Sequence, residues 1–302
     1  MTNDYYSHGK LLLTGEYAIL DGAKGLAVPT QFGQSLSVRP TKTAELQWTS
    51  TTDTNTPWLT ASFDLVDLSV LYASDSAAGH RLLQILQAAK GLNPQFLKDC
   101  EGAQVVTHLD FPKDWGLGSS STLINNIGHW AQVDPYALLR ETFGGSGYDI
   151  ACAQSSGPLV YSTQGNTTSV DAVDFNPSFK ERIFFVHLNK KQNSRDAIAA
   201  YNQRTVDKTA LIAAVNELTA RMVHCKELTE FEDIMDAHEA LLSHPLGMPT
   251  IKQKQFSDYA GSIKSLGAWG GDFIMATGGE EHRNYFTRKG FTTLLPYSKM
   301  VL

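Results

Sequence analysis

Pro112-Lys113-Asp114-Trp115-Gly116-Leu117-Gly118-Ser119-Ser120-Ser121-Thr122 sets two glycines around one leucine and follows them with four consecutive hydroxyl residues. The segment before it, Val105-Val106-Thr107-His108-Leu109, reads as a strand, and Leu123 to Gln132 after it reads as a helix. Unpaired N–H groups at a helix start carry partial positive charge. Glycine lets the chain approach an anion with no Cβ between them. Strand, glycine turn and hydroxyl-rich helix start together make a phosphate cradle, lined here by Gly116, Leu117, Gly118, Ser119, Ser120 and Ser121. Four hydroxyl residues in a row are poor helix material without partners, which favours a bound ligand over a bare turn.

A glycine pair after a strand also opens dinucleotide-binding folds, and Asp134 lies at a suitable distance for the acid of that motif. That fold needs a second strand ending at the acid, whereas Asp134-Pro135 reads as the cap of another helix. No GxxxxGK[ST], HRD or DFG signature is present, so phosphate chemistry here calls for a different fold.

The wider chain is compatible with a small-molecule enzyme. Its 302 residues allow two lobes or one large domain. A hydrophobic fraction of 42% and a charged fraction of 19% are those of a folded globular protein. A net charge of −6 argues against coating nucleic acid or anionic membrane. Cys100, Cys152 and Cys225 are widely spaced and read as reduced thiols, and the scattered histidines form no HExxH. No basic region followed by an apolar run opens the sequence and no apolar stretch approaches membrane-spanning length. A cytoplasmic protein is therefore expected.

Strand-like alternation at Ser35 to Arg39, Glu45 to Thr49 and Thr60 to Leu65 makes the N-terminal part β-rich. His80 to Lys90 reads as a helix stopped by Gly91 and Pro94. Asp134 to Glu141 and Ile150 to Gln154 read as further helices, and Leu159 to Ser162 as a strand. The polar stretch Gln164 to Asn176 is the expected lobe boundary, giving lobes 1–165 and 166–302. Beyond it come a buried strand, Ile183 to Leu188, and helices at Arg195 to Asn202, Ala210 to Cys225 and Phe231 to Leu242. Strands then return around Gly267-Ala268-Trp269-Gly270-Gly271, including Phe273 to Ala276.

Three further constellations carry chemistry. In Gly9-Lys10-Leu11-Leu12-Leu13-Thr14-Gly15-Glu16-Tyr17, Lys10 and Glu16 could be a structural ion pair, or Lys10 could neutralise a phosphoryl group with Glu16 holding it in place. In Gly144-Gly145-Ser146-Gly147-Tyr148-Asp149, Asp149 is either a helix N-cap or a carboxylate that orients or deprotonates an acceptor. Glu141 could ligate Mg²⁺ with a hydroxyl of Ser119 or Ser120. The glycine cluster from Gly267 to Gly271 is more flexible than a plain hairpin needs, which suits close backbone approach to a ligand or another loop.

Taken in order, these segments resemble the GHMP kinase superfamily of galactokinase, homoserine kinase, mevalonate kinase and phosphomevalonate kinase. Gly9 to Leu20 is similar to its first motif, Pro112 to Ser120 fits every fixed position of its P-x-x-x-G-L-G-S-S motif, and Lys264 to Asp272 partly matches its third, lysine-led glycine motif. Gly145 to Ala151 resembles the GSGFDVA segment of phosphomevalonate kinases. Asn193-Ser194-Arg195 resembles a helix start near the acceptor in the mevalonate and phosphomevalonate branches.

The resemblance implies an α+β, two-lobed fold, with a β-rich N-terminal lobe and a ferredoxin-like C-terminal lobe with inserted helices. It implies an ATP- and Mg²⁺-dependent kinase acting on mevalonate or phosphomevalonate in isoprenoid precursor synthesis, as monomer or homodimer. The alternatives are a kinase of another small alcohol or sugar, or a catalytically weak metabolite-binding relative. Lys10 would sit near the transferring phosphate and Asp149 at the acceptor. Ser119 and Ser120 would contact Mg²⁺ and phosphates, and Gly267, Gly270 and Gly271 the nucleotide, with Glu16 and Ser194 in support. Trp269 stands where the third motif has glycine, and Leu266 where it has serine. If that glycine position needs a positive φ, Trp269 imposes different backbone angles.

Overall fold

The computed structural model describes residues 2–165, 167–190, 201, 207–267, 269 and 271–302. They form two compact units that interleave along the sequence. The first comprises residues 1–9, 32–113 and 117–154; the second comprises 10–31, 114–116 and 155–302.

In the first unit, strands β3 (Glu45–Thr51), β4 (Pro57–Asp64), β5 (Val70–Ala73) and β6 (Ala103–Leu109) join the later half of β2 (Gly25–Pro40) in the order β5-β4-β3-β6-β2. β3 and β6 run parallel, while the other neighbours are antiparallel. A parallel pair cannot be closed by a tight turn, and the chain between them supplies β4, β5 and helix α1 (Ser76–Leu92). Alternation gives the sheet one apolar face, with Leu46 and Trp48 of β3 and Ala103 and Val105 of β6 turned inward. Leu82, Ile85 and Leu86 of α1 and Ile124 and Ile127 of α2 (Ser119–Ala131) pack on it.

Helix α3 (Pro135–Thr142) starts as its sequence dictates: the Asp134 carboxylate accepts from the Tyr136 and Ala137 N–H groups, and Pro135 takes the position where no N–H is needed. This removes the second strand that a dinucleotide fold would require. Helix α4 spans Tyr148–Gln154.

In the second unit, Gly25–Ala27 of β2 pairs with β7 (Leu159–Gln164), which pairs with β8 (Thr167–Ala172). The polar 164–176 stretch thus contains an exposed strand. Its Thr, Ser and Val residues suit an edge strand with water on both faces.

A second, wholly antiparallel sheet runs β10-β11-β9-β12, with β9 at Ile183–His187, β10 at Ile263–Ser265, β11 at Phe273–Thr277 and β12 at Leu294–Pro296. Helices α5 (Lys208–His224), α6 (Leu228–Leu246) and α7 (Ile251–Gln255) lie between β9 and β10. Helix α8 (Glu280–Arg288) lies between β11 and β12, and α9 (Tyr297–Met300) closes the chain. This is the ferredoxin-like βαββαβ order with extra helices in the first crossover, as expected. β9 and β11 are buried along their whole length, which explains their unbroken apolar sequences. The expected helix at Arg195–Asn202 lies largely outside the described residues.

Candidate functional site

The start of α2 is built as the sequence suggested. Gly118 caps it in the left-handed conformation at φ 89°, with no side chain capping the first turn. The Thr122 N–H donates to Gly118 O at 3.0 Å, closing the first helical turn. Of the four hydroxyl residues, Thr122 alone is buried; its Oγ1 donates to Gln34 Oε1 at 2.7 Å. Ser119 and Ser121 are half-buried and Ser120 is exposed.

Beneath the helix, Asn125 donates to Ser7 Oγ, Ser7 donates to Asn126 Oδ1, and Asn126 donates to Gln34 O. Gln154 of α4 donates to Asn125 Oδ1. This satisfied polar layer holds α2 and α4 in one register and leaves the serines of the first turn outside it.

Asp149 is half-buried in the first turn of α4, one residue inside the helix, because the helix begins at Tyr148. The Ile150 and Ala151 N–H groups both donate to Gly147 O. The cap position therefore falls to Gly147, and the N-cap reading of Asp149 gives way to a carboxylate in the first turn of the helix. Glu141 lies exposed in the last turn of α3, and no described contact joins it to Ser119 or Ser120. Among the described residues, no cluster of three or more His, Cys, Asp or Glu is arranged to hold a metal. Ser194 and Gly270 lie outside the described residues. Leu117 is fully buried, so it contributes its backbone and not its side chain to any ligand.

In the second unit, Lys10 on β1 (Asn3–Leu12) donates from Nζ to Gly116 O at 3.1 Å. Gly116 has φ 68°, and a Cβ there would fall 2.5 Å from the Asp272 carboxyl group. Glycine is thus required twice over, by conformation and by space. Gly116→Ala is expected to cost about 1–2 kcal/mol from the left-handed backbone alone, read as a lowered midpoint in urea; an unchanged midpoint would show that the turn has another accessible conformation. Trp115 packs edge-on to Phe273, and His187 lies between β11 and this turn with Nε2 3.4 Å from Asp114 O.

Glu16 takes Lys264 as its cation, where the sequence suggested Lys10. Lys264 Nζ lies 2.5 Å from Glu16 Oε1, and both residues are buried. Lys264 also donates to Ser265 O. A second carboxylate, Glu239 of α6, faces the same lysine: its Oε1 accepts from the Ser265 N–H at 2.9 Å, and its Oε2 is 3.3 Å from Ser265 Oγ.

Burial, only partly offset by Lys264 and reinforced by the Glu16 charge, pushes Glu239 up to about 7. Burial raises Glu16 as well, against the pull of Lys264. His238 is held neutral, first by burial and then by the Lys264 charge. Its Nε2 accepts from the Gly15 N–H at 3.0 Å, so its proton is on Nδ1. Nε2 also lies 3.6 Å from Glu16 Oε2, but a neutral ring nitrogen already accepting a hydrogen bond makes no ion pair with that oxygen.

Sequence reasoning missed His238 and Glu239, although a signal exists. Along α6 the buried positions run Phe231, Ile234, Met235, His238, Glu239, Leu242, so two polar residues fall on the apolar stripe of an otherwise regular amphipathic helix.

Trp269 is absorbed by the core. It is buried against Tyr17, Tyr201 and Leu242, its N–H donates to Tyr17 Oη at 2.9 Å, and its Nε1 donates to Pro249 O. Leu266, at the serine position of the third motif, is likewise buried. A Cβ on Gly267 would meet nothing within 4 Å, whereas Gly271 is buried.

No family model matches the sequence and no curated protein matches it. Solved structures do match over the whole chain. Mevalonate kinase of Methanococcus jannaschii superposes with a TM-score of 0.69 at 14% identity, over 98% of each chain. Streptococcus pneumoniae phosphomevalonate kinase, in complex with phosphomevalonate and AMPPNP, gives 0.71 at 15%, over 97% of this chain and 99% of its own. Lactococcus lactis galactokinase, complexed with galactose, gives 0.68 at 12%, over 100% and 93%. These kinases share the fold seen here: a mixed N-terminal sheet with helices and an antiparallel four-stranded C-terminal sheet with helices.

Proposed function

We propose that this chain is an ATP- and Mg²⁺-dependent kinase that phosphorylates mevalonate or phosphomevalonate. The observation that carries the reading is the uncapped, serine-bearing start of α2, reached through a glycine turn whose first carbonyl is held by Lys10. The match in fold to mevalonate, phosphomevalonate and galactose kinases over nearly the full length supports the reaction class. The resemblance of the Gly145 to Ala151 segment to that of phosphomevalonate kinases supports the choice of acceptor.

The residues suit the group they are asked to hold. N–H groups at Ser119, Ser120 and Ser121 that no side chain caps fit phosphate oxygens. The Ser119 and Ser120 hydroxyls and the Glu141 carboxylate are hard oxygen donors of the kind Mg²⁺ accepts, in a site completed by water and phosphate. Bound ATP supplies the phosphoryl group, and its Mg²⁺ spreads the charge of the phosphate oxygens. Gly267 and Gly271 would offer backbone to the nucleotide, and the role given to Gly270 falls outside the described residues.

Phosphoryl transfer asks a protein mainly for positioning and charge stabilisation. Lys10 supplies a cation to the transferring group. Asp149 takes the proton of an alcohol acceptor; if the acceptor is a phosphate, already ionised, Asp149 positions it instead. Trp269 packs as a core residue and gives no support to the weak-binder alternative.

ADP release from Mg²⁺-ATP, measured with mevalonate, phosphomevalonate, homoserine and galactose, tests the reading. Turnover is expected with one of the first two. Turnover only with homoserine or galactose would keep the kinase and overturn the acceptor. Nucleotide binding with no turnover on the panel would favour a metabolite-binding relative.

A further inference from the structure

We infer that Tyr17 is a positioning residue for the second glycine loop, its phenol oxygen fixing the loop backbone at Trp269 while its neighbour Glu16 fixes the loop root at Lys264. The inference rests on the kinase reading in one respect, that the segment from Ser265 to Gly271 belongs to the nucleotide site.

Tyr17 stands in a backbone conformation that a side chain disfavours. Its φ is 62° and its ψ −49°, and the Ala18 N–H donates across it to Glu16 O at 2.7 Å. This is the positive-φ γ-turn, rare and strained for a residue with a Cβ. Glycine would adopt it freely, yet the position holds a large aromatic residue that is buried. Such strain persists only where the surroundings over-determine it, and it gathers at functional sites.

The turn decides where three consecutive residues reach. Along a regular strand, neighbouring side chains point to opposite faces. Here the Gly15 N–H donates to His238 Nε2, Glu16 takes the ammonium of Lys264, and Tyr17 Oη accepts the Trp269 N–H at 2.9 Å. The contacts at Lys264 and Trp269 bracket Ser265, Leu266 and Gly267. Gly267 has φ 67°, and a Cβ there would meet nothing within 4 Å. Glycine is thus required at that position by its backbone angle and not by a neighbouring atom, which suits a backbone offered to a ligand.

The oxygen of Tyr17 matters separately from its ring. The ring packs against Tyr201, with centroids 5.7 Å apart, and Trp269 belongs to the same apolar cluster. Phenylalanine would fill that space equally, but it offers no acceptor to the Trp269 N–H. A buried donor deprived of its acceptor either stays buried at a cost or turns out to water. In a loop the second course moves the backbone. The indole is held independently, through Nε1 on Pro249 O, so the side chain of Trp269 anchors the loop while Tyr17 sets the path of its main chain.

Tyr17→Phe is the test, since it removes one oxygen and keeps the ring. Mg²⁺-AMPPNP affinity by calorimetry is expected to fall about tenfold, because binding must then bury the Trp269 N–H again. With no nucleotide present, amide exchange at Trp269 is expected to quicken about tenfold while exchange in β9 and β11 stays at the wild-type rate. A lowered urea midpoint with wild-type affinity and wild-type exchange at Trp269 would make the oxygen a stability contact only and overturn the inference. An unprotected Trp269 amide in the wild type would overturn it whatever the variant does.

Tyr201→Phe is the control. It removes a hydroxyl from the other ring of the stack, the one that donates to Asp21 Oδ2 at 2.7 Å. Wild-type affinity and wild-type exchange at Trp269 are expected, and losses equal to those of Tyr17→Phe would show that loosening the cluster is enough, against a specific role for Tyr17. Equal nucleotide binding by wild type and Tyr17→Phe overturns the inference and leaves the kinase reading standing. A wild type that binds no nucleotide, with exchange at Trp269 quickened in Tyr17→Phe alone, overturns the nucleotide link and the kinase reading while the hold on the loop stands.

Discussion

Lys10→Ala is expected to lower turnover by about two to four orders of magnitude while unfolding in urea shifts by no more than about 1 kcal/mol. The two numbers are set by different interactions. Lys10 is half-buried on β1, and the hydrogen bond described for its ammonium goes to one backbone carbonyl, that of Gly116. Losing that bond leaves a carbonyl at a turn that water can reach. The loss to catalysis is larger because the charge developing on a transferring phosphoryl group has to be met by a fixed cation, and a methyl group offers none. The fall should appear in kcat more than in the KM for ATP, since a group acting on the transition state contributes less to ground-state binding. Asp149→Ala in the same assay should show a comparable fall with an alcohol acceptor. Near-normal kcat in Lys10→Ala would remove the residue from the mechanism and leave it as a clamp on the glycine turn.

What could be read from the sequence was whatever local chemistry decides. The helix start at Asp134-Pro135, the alternation in β3 and β4 and the apolar runs of β9 and β11 emerged close to their observed bounds, because capping and periodicity act within a few residues. The glycine turn before α2 was legible for the same reason, and so was the order of elements around the ferredoxin-like sheet once the family resemblance supplied the topology.

The strand β8 left no mark in the sequence because it is exposed throughout and buries nothing that would leave a period. The partner of Glu16 was misread because ion pairing follows space and not spacing. Lys10 is six residues from Glu16 and Lys264 is 248 residues away, yet the strand carries Lys10 toward Gly116 while the turn at Gly15 directs Glu16 inward. Trp269 illustrates the same limit. Read against a motif it was a misplaced glycine, and only the cavity formed by Tyr17, Tyr201 and Leu242 shows it to be a core residue.

Lys264→Met is expected to destabilise the second unit by about 3–5 kcal/mol near neutral pH. Methionine nearly matches the lysine stem, so the loss is electrostatic and not a cavity. What remains is Glu16 and Glu239, both buried, with the Glu16 carboxylate stripped of its counter-charge. Both carboxyl groups are already raised by burial with the lysine present, and removing it raises them further. The sign of the pH dependence follows. A carboxyl group raised in the folded state binds its proton more tightly there than in the unfolded chain. Its stabilising effect is therefore complete below the unfolded value near 4.5 and is lost as pH rises through the folded value. The deficit of the variant relative to wild type should accordingly be small at pH 5.5, where the folded protein can neutralise the pair, and should grow toward pH 8. His238 contributes the opposite slope, since its lowered value favours the folded state above pH 6.5 and costs stability as pH falls. That contribution is present in both proteins, and it weakens in the variant because the Lys264 charge is one of its causes. Urea unfolding of both proteins at pH 5.5 and pH 8 measures the difference. An equal deficit at the two pH values would mean that Lys264 acts through packing alone.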